Sequence, residues 1–360
     1  MNKVGIGFIG TGFARKIQMP AFAACESAKI ISIASGSPDN ASAAAEEFHA
    51  PHSTADWRET VTHPDVDLVC ITTPPSMHQE MTMFAVSQGK HILCEKPMAM
   101  TAVEAEEMTK AAAEKGILAI IDHELRFLPG RIAVKQMLLE GAVGKVRHAK
   151  TTFRAPHRGD PNSPFNWWSE IKYGGGALGA INSHIIDSLY WFLGTSISSV
   201  TCQLHTNIKE RPDAEGIRRT VTSDDEANML LRFSDGDTTS DATGIVSVSM
   251  VEGPDYLHRM EFYGEDGVIR VEYDGSAFIA KRGEADWSPI KTDRSSPIPG
   301  VSDTGFAGAF WSFAPVIVNA IREGKHTVDG AATFEDGLRV QLVLDAARLS
   351  DAEGRTVRLN

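Results

Sequence analysis

The sequence predicts an α/β protein of two domains: a doubly wound parallel sheet over residues 1–122, and an α+β domain with a mostly antiparallel open sheet over residues 123–360. Three observations lead to this prediction. Apolar strands alternate with helical stretches in the first third, a glycine turn follows the first strand, and strands separated by turns dominate the remainder. A chain of 360 residues is also long enough for two domains.

The predicted strands of the first domain are apolar throughout, as expected for strands buried on both faces of a sheet that helices cover. They are Val4–Ile9, Lys29–Ala34, Val66–Thr72, His91–Cys94 and Ile117–Ile121. The stretches between them predict helices from the glycine turn to about Ala24 and over Ala41–Phe48, Met77–Gln88 and Ala102–Lys115. Because this region lacks hairpin turns, the alternation favours a parallel sheet.

The second domain is predicted from apolar runs that Gly, Asp and Pro turns separate. Its predicted strands are Gly144–Ala155, Ile197–Asn207, Asp225–Ser234, Asp241–Met250, His258–Gly264, Gly267–Tyr273 and Phe278–Lys281. Its predicted helices are Pro129–Glu140, Ile181–Phe192, Phe306–Glu323 and Phe334–Ser350. The segment Asp293–Asp303, with Pro297 and Pro299, is predicted to be a flexible loop.

Composition excludes several classes of function. Lys and Arg number 35 against 47 Asp and Glu, a net charge of −12, so we expect no nucleic-acid or membrane partner. The four cysteines form no CxxC pair, and the chain does not begin with a signal-peptide pattern, which predicts reduced thiols and a cytoplasmic protein. No HExxH, HxH or Cys/His spacing predicts a metal site.

The glycine turn that follows the first strand predicts a dinucleotide site of the Rossmann type. Gly10 and Gly12 would let the chain turn sharply and let a pyrophosphate approach the backbone at the start of a helix. Arg15 stands where a third small residue is usual, and Ala14 comes one residue before it. The predicted contacts of this turn with the cofactor are Gly10, Gly12, Phe13, Ala14 and Arg15.

The end of the second strand bears on the choice between NAD and NADP. A carboxylate that would bind the ribose diol of NAD is absent from the segment Ser35-Gly36-Ser37. The serine hydroxyls and Arg15 could bind a 2′-phosphate, so the sequence predicts NAD(P)(H) and favours NADP. Asp39, folded back onto the ribose, would instead favour NAD.

Several segments at later strand ends are more specific. They are Thr72-Thr73-Pro74-Pro75-Ser76-Met77-His78, Glu95-Lys96-Pro97, Gly174-Gly175-Gly176-Ala177-Leu178, His184 and Asp187. This set, in this order, resembles the Gfo/Idh/MocA oxidoreductase family. The resemblance implies hydride transfer between a nicotinamide and a hydroxyl-bearing carbon of a sugar, cyclitol or related polyol. It also implies that Thr73, Pro74 and His78 line the cofactor, with Glu95, Lys96 and Pro97 at its nicotinamide end.

Alcohol oxidation needs a cation to stabilise the developing alkoxide and a base to take the proton. Lys96 suits the first role, and His184 suits the second because imidazole titrates near neutral pH. Asp187, three residues on along a predicted helix, could orient His184 or hold a sugar hydroxyl. The family usually carries a carboxylate four residues before this histidine, where the present sequence has Ala180.

Weaker candidates complete the predicted site. Asp122 ends the fifth strand at the carboxyl edge and is assigned to the nicotinamide, and His123 is assigned to the substrate. Trp167 and Trp168 could form flat walls for a sugar ring, and Arg154 could reach a polar sugar; core packing and a rim position are the alternatives.

Two other functions remain open from the sequence alone. One is an NAD-dependent sugar lyase or glycosidase that works by transient oxidation and elimination. The other is a non-catalytic nucleotide-binding regulator. We also expect a homo-oligomer, dimer or tetramer, because the resemblance implies pairing through the outer face of the open sheet.

Overall fold

The computed structural model describes residues 3–292 and 304–359. These residues divide into two compact units. The first unit comprises residues 3–127 and 304–338, and the second comprises residues 128–292 and 339–359. The segment Asp293–Asp303, which the sequence predicts to be a flexible loop, lies outside the described residues.

Strands and helices are numbered along the chain. The strands are β1 Val4–Ile9, β2 Ala28–Ala34, β3 His52–Thr54, β4 Leu68–Ile71, β5 His91–Cys94, β6 Ala119–Ile121, β7 Val146–Arg154, β8 Ile197–His205, β9 Glu210–Pro212, β10 Arg218–Thr220, β11 Glu226–Phe233, β12 Thr239–Ser249, β13 Leu257–Gly264, β14 Gly267–Glu272, β15 Ala277–Lys281, β16 Ser288–Ile290, β17 Ala332–Thr333 and β18 Val357–Arg358. The helices are α1 Gly12–Lys16, α2 Gln18–Ala24, α3 Pro38–Glu47, α4 Trp57–Thr62, α5 His78–Ser87, α6 Ala102–Lys115, α7 Pro129–Leu139, α8 Ser183–Leu193, α9 Gly305–Arg322 and α10 Phe334–Glu353.

The first unit is built on a seven-stranded sheet in the order β17-β6-β5-β4-β1-β2-β3. Strands β1 to β6 pair in parallel, and the short β17 pairs antiparallel with β6. The strand order reverses at β1, which lies between β2 and β4. Ligands of such sheets bind beyond the carboxyl ends of the strands at this reversal. The predicted doubly wound parallel sheet is therefore confirmed.

Apolar side chains cover both faces of this sheet. Along β4, Leu68 and Cys70 belong to one buried cluster, and Val69 and Ile71 belong to the other. The first cluster packs against α2, α3 and α9, and the second packs against α4, α5 and α6. Helices on both faces explain why the sequence of each strand is apolar throughout.

Helix α9 belongs to the first unit, although the predicted boundary places it in the second domain. Phe310 packs edge-on against Phe22 with ring centroids 5.5 Å apart, and Phe313 stacks on Phe127 at 4.3 Å. These aromatic contacts close one face of the parallel sheet. The structure consequently divides the chain differently from the predicted domains 1–122 and 123–360, because a C-terminal helix completes the N-terminal core.

The second unit is built on a nine-stranded sheet in the order β16-β15-β14-β13-β7-β12-β11-β8-β18. Only β7 and β12 pair in parallel among the strands of this sheet that the structure describes, so the predicted mostly antiparallel sheet is confirmed. One face packs against α7, α8 and the second-unit part of α10. On the other face of the sheet, the same strands carry polar side chains and a few exposed apolar side chains.

Several short elements are absent from the prediction. They are β3, α4, β9, β10, β16, β17 and β18. The strands among them span only two or three residues, so they present no apolar run. The first predicted helix is interrupted at Ile17, whose backbone angles of φ −125° and ψ −57° separate α1 from α2. None of the helices in the described part of the chain combines the length and apolar character that a membrane span requires.

Candidate active site

The glycine turn after β1 has a backbone that only glycine tolerates. Gly10 has φ +103°, and a Cβ there would lie 2.6 Å from the carbonyl oxygen of Thr72. The Thr72 hydroxyl donates to the carbonyls of Ile9 and Gly10 at 3.0 and 3.1 Å, which fixes the turn against the end of β4. At Gly12, nothing lies within 4 Å of the place a Cβ would occupy. This tight turn with open space beside Gly12 fits the approach of a dinucleotide pyrophosphate.

The residues that follow Gly12 face different environments. Ala14 is fully buried in the apolar cluster of the first unit, so its role is packing. Phe13 is half-buried. The Arg15 guanidinium pairs with Glu47 at the end of α3, Nε to Oε2 2.5 Å, and both side chains are well exposed. The cation that the sequence predicts for a 2′-phosphate therefore already has a carboxylate partner.

The hydroxyls at the end of β2 serve the local backbone. Ser35 Oγ lies 3.5 Å from the Thr11 hydroxyl and accepts a hydrogen bond from the Ser37 N–H at 3.3 Å. The Ser37 hydroxyl caps α3 by accepting from the Asn40 N–H at 3.4 Å. Gly36 has open space where a Cβ would lie. The predicted segment thus forms a serine-lined turn beside the glycine turn.

His78 ties two strand-end loops together. Its Nε2 lies 2.9 Å from the carbonyl oxygen of Thr73 after β4, and its Nδ1 lies 3.0 Å from that of Pro97 after β5. The ring is fully buried, and this burial lowers the pKa of His78. Thr73 and Pro74 are half-buried, and Pro74 precedes a short 3-10 turn. His78 therefore holds these two loops together through their carbonyl groups. Its predicted contact with the cofactor stays a prediction.

Lys96 lies on the loop after β5, between a buried glutamate and a buried proline. The Lys96–Pro97 peptide bond is cis. The Lys96 N–H donates to Oε2 of Glu95 at 3.2 Å. Because β1, β4 and β5 are neighbours in one parallel sheet, the glycine turn, Thr73 and Lys96 follow strands that end at the same edge.

A buried amide joins the two acidic strand ends of this edge. Gln18 Nε2 donates to Oδ2 of Asp122 at 2.6 Å and to Oε1 of Glu95 at 3.1 Å. All three side chains are buried, and burial raises the pKa of both carboxyl groups. His123 and Glu124 follow Asp122 and are buried as well. Sequence reasoning missed Gln18, because nothing distinguishes one glutamine of an apolar helix from a surface residue.

In the second unit, His184 and Asp187 lie in the first turns of α8 and are buried. A π-helical turn, Leu178–Asn182, precedes the helix and contains Ala180. Such turns recur at functional sites because they change which side chains share a face. His184 and Asp187 are three residues apart on one helix, as the sequence predicts.

The glycine triplet positions the start of this helix. A Cβ on Gly176, whose φ is +115°, would lie 2.4 Å from Oδ1 of Asp224, and one on Gly175 would lie 2.4 Å from the carbonyl oxygen of Trp168. Oδ2 of Asp224 accepts from the Leu178 N–H at 2.7 Å. The triplet therefore allows a carboxylate to approach the backbone just before α8.

A buried arginine supports the same helix from within the second unit. Arg131 Nη2 donates to the Ser188 hydroxyl at 2.5 Å, and that hydroxyl donates to the carbonyl oxygen of His184 at 2.6 Å. The guanidinium lies over the Phe192 ring, 4.9 Å from its centroid. Sequence reasoning missed Arg131, since an arginine in a predicted helix reads as a surface residue.

The remaining predicted substrate residues also lie in the second unit. Trp167 and Trp168 are half-buried with ring centroids 5.3 Å apart at 46°, and Arg158 lies 5.4 Å from the Trp168 ring. Arg154 is exposed at the end of β7. Across residues 3–292 and 304–359, no group of three or more His, Cys, Asp or Glu residues could hold a metal ion.

Two family models match the chain in succession. An oxidoreductase family with an NAD-binding Rossmann fold matches residues 4–123, and a GFO/IDH/MocA C-terminal domain matches residues 132–270. The chain belongs to the Gfo/Idh/MocA oxidoreductase family.

Relatives within the Gfo/Idh/MocA family match along almost the whole chain. Levoglucosan dehydrogenase of Pseudarthrobacter phenanthrenivorans is 31% identical, and the alignment covers 96% of this chain and 95% of that protein. Glucose-fructose oxidoreductase domain-containing protein 2 of Xenopus laevis is 29% identical, with coverages of 98% and 93%.

Solved structures of the Gfo/Idh/MocA family are also similar to this chain over almost its whole length. Levoglucosan dehydrogenase in complex with NADH and L-sorbose matches with a TM-score of 0.89 at 29% identity, over 100% of both chains. Its complex with NADH and levoglucosan matches at 0.88 and 30%, over 99% of both. Aldose-aldose oxidoreductase from Caulobacter crescentus, complexed with glycerol, matches at 0.80 and 26%, over 99% of this chain and 100% of that chain.

These similarities confirm the family resemblance, the fold class and the enzyme class that the sequence predicts. The chain is an NAD(P)-dependent oxidoreductase of the sugar and polyol dehydrogenase class, and its first unit contains an NAD-binding Rossmann domain. The similarities do not favour the lyase, glycosidase or regulator alternatives. The preference for NADP over NAD and the individual site residues stay predictions.

Proposed function

We propose that this chain oxidises a secondary hydroxyl of a cyclic sugar or anhydro-sugar, with Lys96 holding the reacting oxygen and His184 accepting its proton. The observation that carries the proposal is the position of Lys96 after β5, on the sheet edge that also bears the glycine turn. A nicotinamide dinucleotide, when bound, supplies the hydride acceptor. The tight turn at Gly10 and the open space at Gly12 fit such a group.

The two side chains divide the chemistry. The Lys96 ammonium stabilises negative charge as it develops on the substrate oxygen. The His184 imidazole takes the hydroxyl proton, and Asp187 orients that imidazole or holds a neighbouring sugar hydroxyl. Because Ala180 provides no carboxylate beside His184, the proton passes from His184 to solvent or to Asp187.

The cofactor site is assigned to the first domain of the prediction and the substrate site to the second. Residues 1–122 bind the dinucleotide through the glycine turn, the Ser35–Ser37 turn and the loops at Thr73, Lys96 and Asp122. Residues 123–360 supply His123, Arg154, Trp167 and Trp168 to the substrate. The substrate class rests on the similarity to levoglucosan dehydrogenase and to aldose-aldose oxidoreductase.

NADP is the proposed cofactor within the NAD(P) class. No carboxylate ends β2, and Ser35 and Ser37 offer hydroxyls to a 2′-phosphate. The Arg15–Glu47 ion pair opposes this assignment, since a phosphate would have to displace Glu47 from Arg15. Comparing kcat/KM for NAD and NADP decides between these two influences.

The proposal also covers the cellular location of the protein and its oligomeric state. We place the protein in the cytoplasm, which agrees with four cysteines that form no disulfide. We also propose a homo-oligomer that pairs through the outer face of the nine-stranded sheet. On that face Leu230 and Ile245 are cross-strand partners, exposed at 58% and 41%.

The direct test is a dehydrogenase assay of the purified chain over levoglucosan, aldoses, inositols and uronates with NAD and NADP. Replacing one preorganised donor to a developing oxyanion costs about 10² to 10³ in kcat. We therefore expect Lys96→Ala to lose at least about 100-fold in kcat and to keep nucleotide binding.

The matched control is Lys110→Ala, which removes an exposed lysine from α6 of the same unit. It should match the wild type in kcat. If Lys96→Ala retained full kcat, or if the wild type oxidised no member of the panel, the proposed function would be rejected.

A further inference from the structure

A pair of buried carboxyl groups lies directly before and beside the loop that carries Lys96. Glu95 and Asp122 follow β5 and β6, which are neighbours in the parallel sheet. Gln18 Nε2 donates to Oε1 of Glu95 at 3.1 Å and to Oδ2 of Asp122 at 2.6 Å, so one amide nitrogen holds the two buried carboxyl groups near each other. Two ionised carboxylates so close together in a buried site would repel each other, which favours a proton on one of them.

The charged groups beside Asp122 do not favour a second carboxylate, because the largest of these influences come from Glu124 and Glu95. The ionisable groups around the pair include Lys96, Glu124 and the thiols of Cys70 and Cys94, and the buried His123 follows Asp122 directly in the chain. Burial raises the pKa of both thiols, so they carry no charge near neutral pH. Glu124 adds negative charge beside Asp122, and the Lys96 ammonium is a cation beside Glu95.

The two acids differ in what stabilises their ionised forms. Burial, then the charges of Glu124 and Glu95, hold the pKa of Asp122 well above its ordinary range. Burial also raises the pKa of Glu95, but the nearby Lys96 charge opposes it. These influences favour the proton on Asp122 and the negative charge on Glu95.

We propose that Glu95 and Asp122 share a single proton and act as one monoanion, and that Asp122 is a positioning residue for the loop that carries Lys96. The anion accepts the Lys96 N–H at 3.2 Å through Glu95 Oε2, while Gln18 donates to its other oxygen, Oε1, at 3.1 Å. Loss of the shared proton would place two like charges side by side in a buried site and displace this loop. The positioning role rests on the proposed function of Lys96, whereas the shared proton does not.

The shared proton is tested by the pH dependence of stability. A group that keeps its proton on folding and loses it on unfolding makes the unfolding equilibrium constant rise tenfold per pH unit. Between about pH 5 and pH 8, we expect the unfolding equilibrium constant of the wild type to rise with pH more steeply than that of Asp122→Asn. The difference corresponds to one proton, or a factor of about ten per pH unit. The control Glu106→Gln, an exposed carboxyl of α6, should keep the wild-type slope. Equal slopes in the wild type and Asp122→Asn would overturn the proposal.

A second measurement needs no variant to fold. Infrared spectra of the wild type at about pH 8 should retain a carboxylic-acid C=O stretch, because ordinary carboxyl groups are ionised there. A spectrum without that band would overturn the shared proton, whatever the enzyme's activity.

The positioning role is tested separately with two replacements of Asp122. Asparagine can still donate to Glu95 and accept from Gln18, whereas leucine can do neither. We expect kcat of Asp122→Leu to be at least tenfold below that of Asp122→Asn, with a smaller change in KM. Equal kcat values would reject the positioning role. A wild type without sugar oxidation would reject the proposed function and leave the proton measurements to decide the pair.

Discussion

At residue 10 the backbone, rather than any ligand, already demands glycine. The left-handed φ of +103° and the Thr72 carbonyl at 2.6 Å both exclude a Cβ. Gly12, two residues later, has neither constraint, because nothing lies within 4 Å of the place a Cβ would occupy. We therefore propose that Gly10 meets a folding requirement and Gly12 a binding requirement.

Alanine substitutions should separate these requirements. Gly10→Ala should lose about 2 kcal/mol or more of unfolding free energy, because it adds backbone strain and a close contact. Gly12→Ala should stay within about 0.5 kcal/mol of the wild type and bind NAD(P) more weakly. Urea denaturation and fluorescence titration with nucleotide measure the two effects. A stable Gly10→Ala, or a Gly12→Ala with unchanged nucleotide affinity, would contradict this account.

Individual site residues differ in how far a sequence can reveal them. Lys96 stands between Glu95 and Pro97 at a strand end, and that neighbourhood already points to a functional lysine. Gln18 and Arg131 have no such neighbourhood, and each acts through contacts with residues distant in the chain: Asp122 for one, Ser188 for the other. Only tertiary structure brings such partners together.

The start of α8 depends on a carboxylate from a distant loop. Asp224 accepts the Leu178 N–H, and burial raises the pKa of Asp224 to about 6. Its pKa in the unfolded chain is about 4, so the folded state keeps a proton that the unfolded state loses. The contribution of Asp224 to stability is therefore largest below about pH 4 and is lost as pH rises through about 6.

The variant Asp224→Asn should remove this pH dependence and keep an oxygen for the Leu178 N–H. Between about pH 4 and pH 6, the unfolding free energy of the wild type should decrease by about 2 kcal/mol relative to that of the variant. Chemical denaturation at several pH values measures the difference. Parallel curves for the two proteins would show that Asp224 does not titrate in this range.

Elements with a strong local pattern are the ones that the sequence predicts well. Helix α6 has a Thr101 cap and a left-handed Gly116 at its end, and its predicted range agrees with the observed one. The π-helical turn Leu178–Asn182 has no comparable sequence pattern. It forms where Gly175 and Gly176 approach Trp168 and Asp224, contacts that local sequence does not encode.

At the scale of the whole molecule, the outer face of the nine-stranded sheet is the proposed site of self-association. Leu230→Glu places a charge opposite Ile245 on that face. We expect light scattering to show a wild-type dimer or tetramer and a variant of lower mass with an unchanged circular dichroism spectrum. The control Leu139→Glu changes an exposed leucine at the end of α7 and should keep the wild-type mass. A wild type that is monomeric at micromolar concentration would rule out this interface.

Sequence patterns predict both sheets of this molecule but not the membership of α9. Its apolar stripe indicates burial without indicating the partner, since any uncovered sheet face would satisfy it. The contact of Phe310 with Phe22 joins residues far apart in the chain. The predicted boundary at residue 122 follows from the order of elements along the chain. The first compact unit also includes α9, because of this packing between distant residues.

The return of α9 to the first sheet has a consequence for synthesis on the ribosome. When residues 3–127 have emerged, one side of their sheet still lacks the helix that shields Phe8 and Phe22 from water. That shield arrives only after roughly two hundred further residues have been translated, at several to about twenty residues per second. The nascent N-terminal third of the chain therefore exposes an apolar surface for many seconds, and we expect a chaperone that binds unfolded chains to bind there.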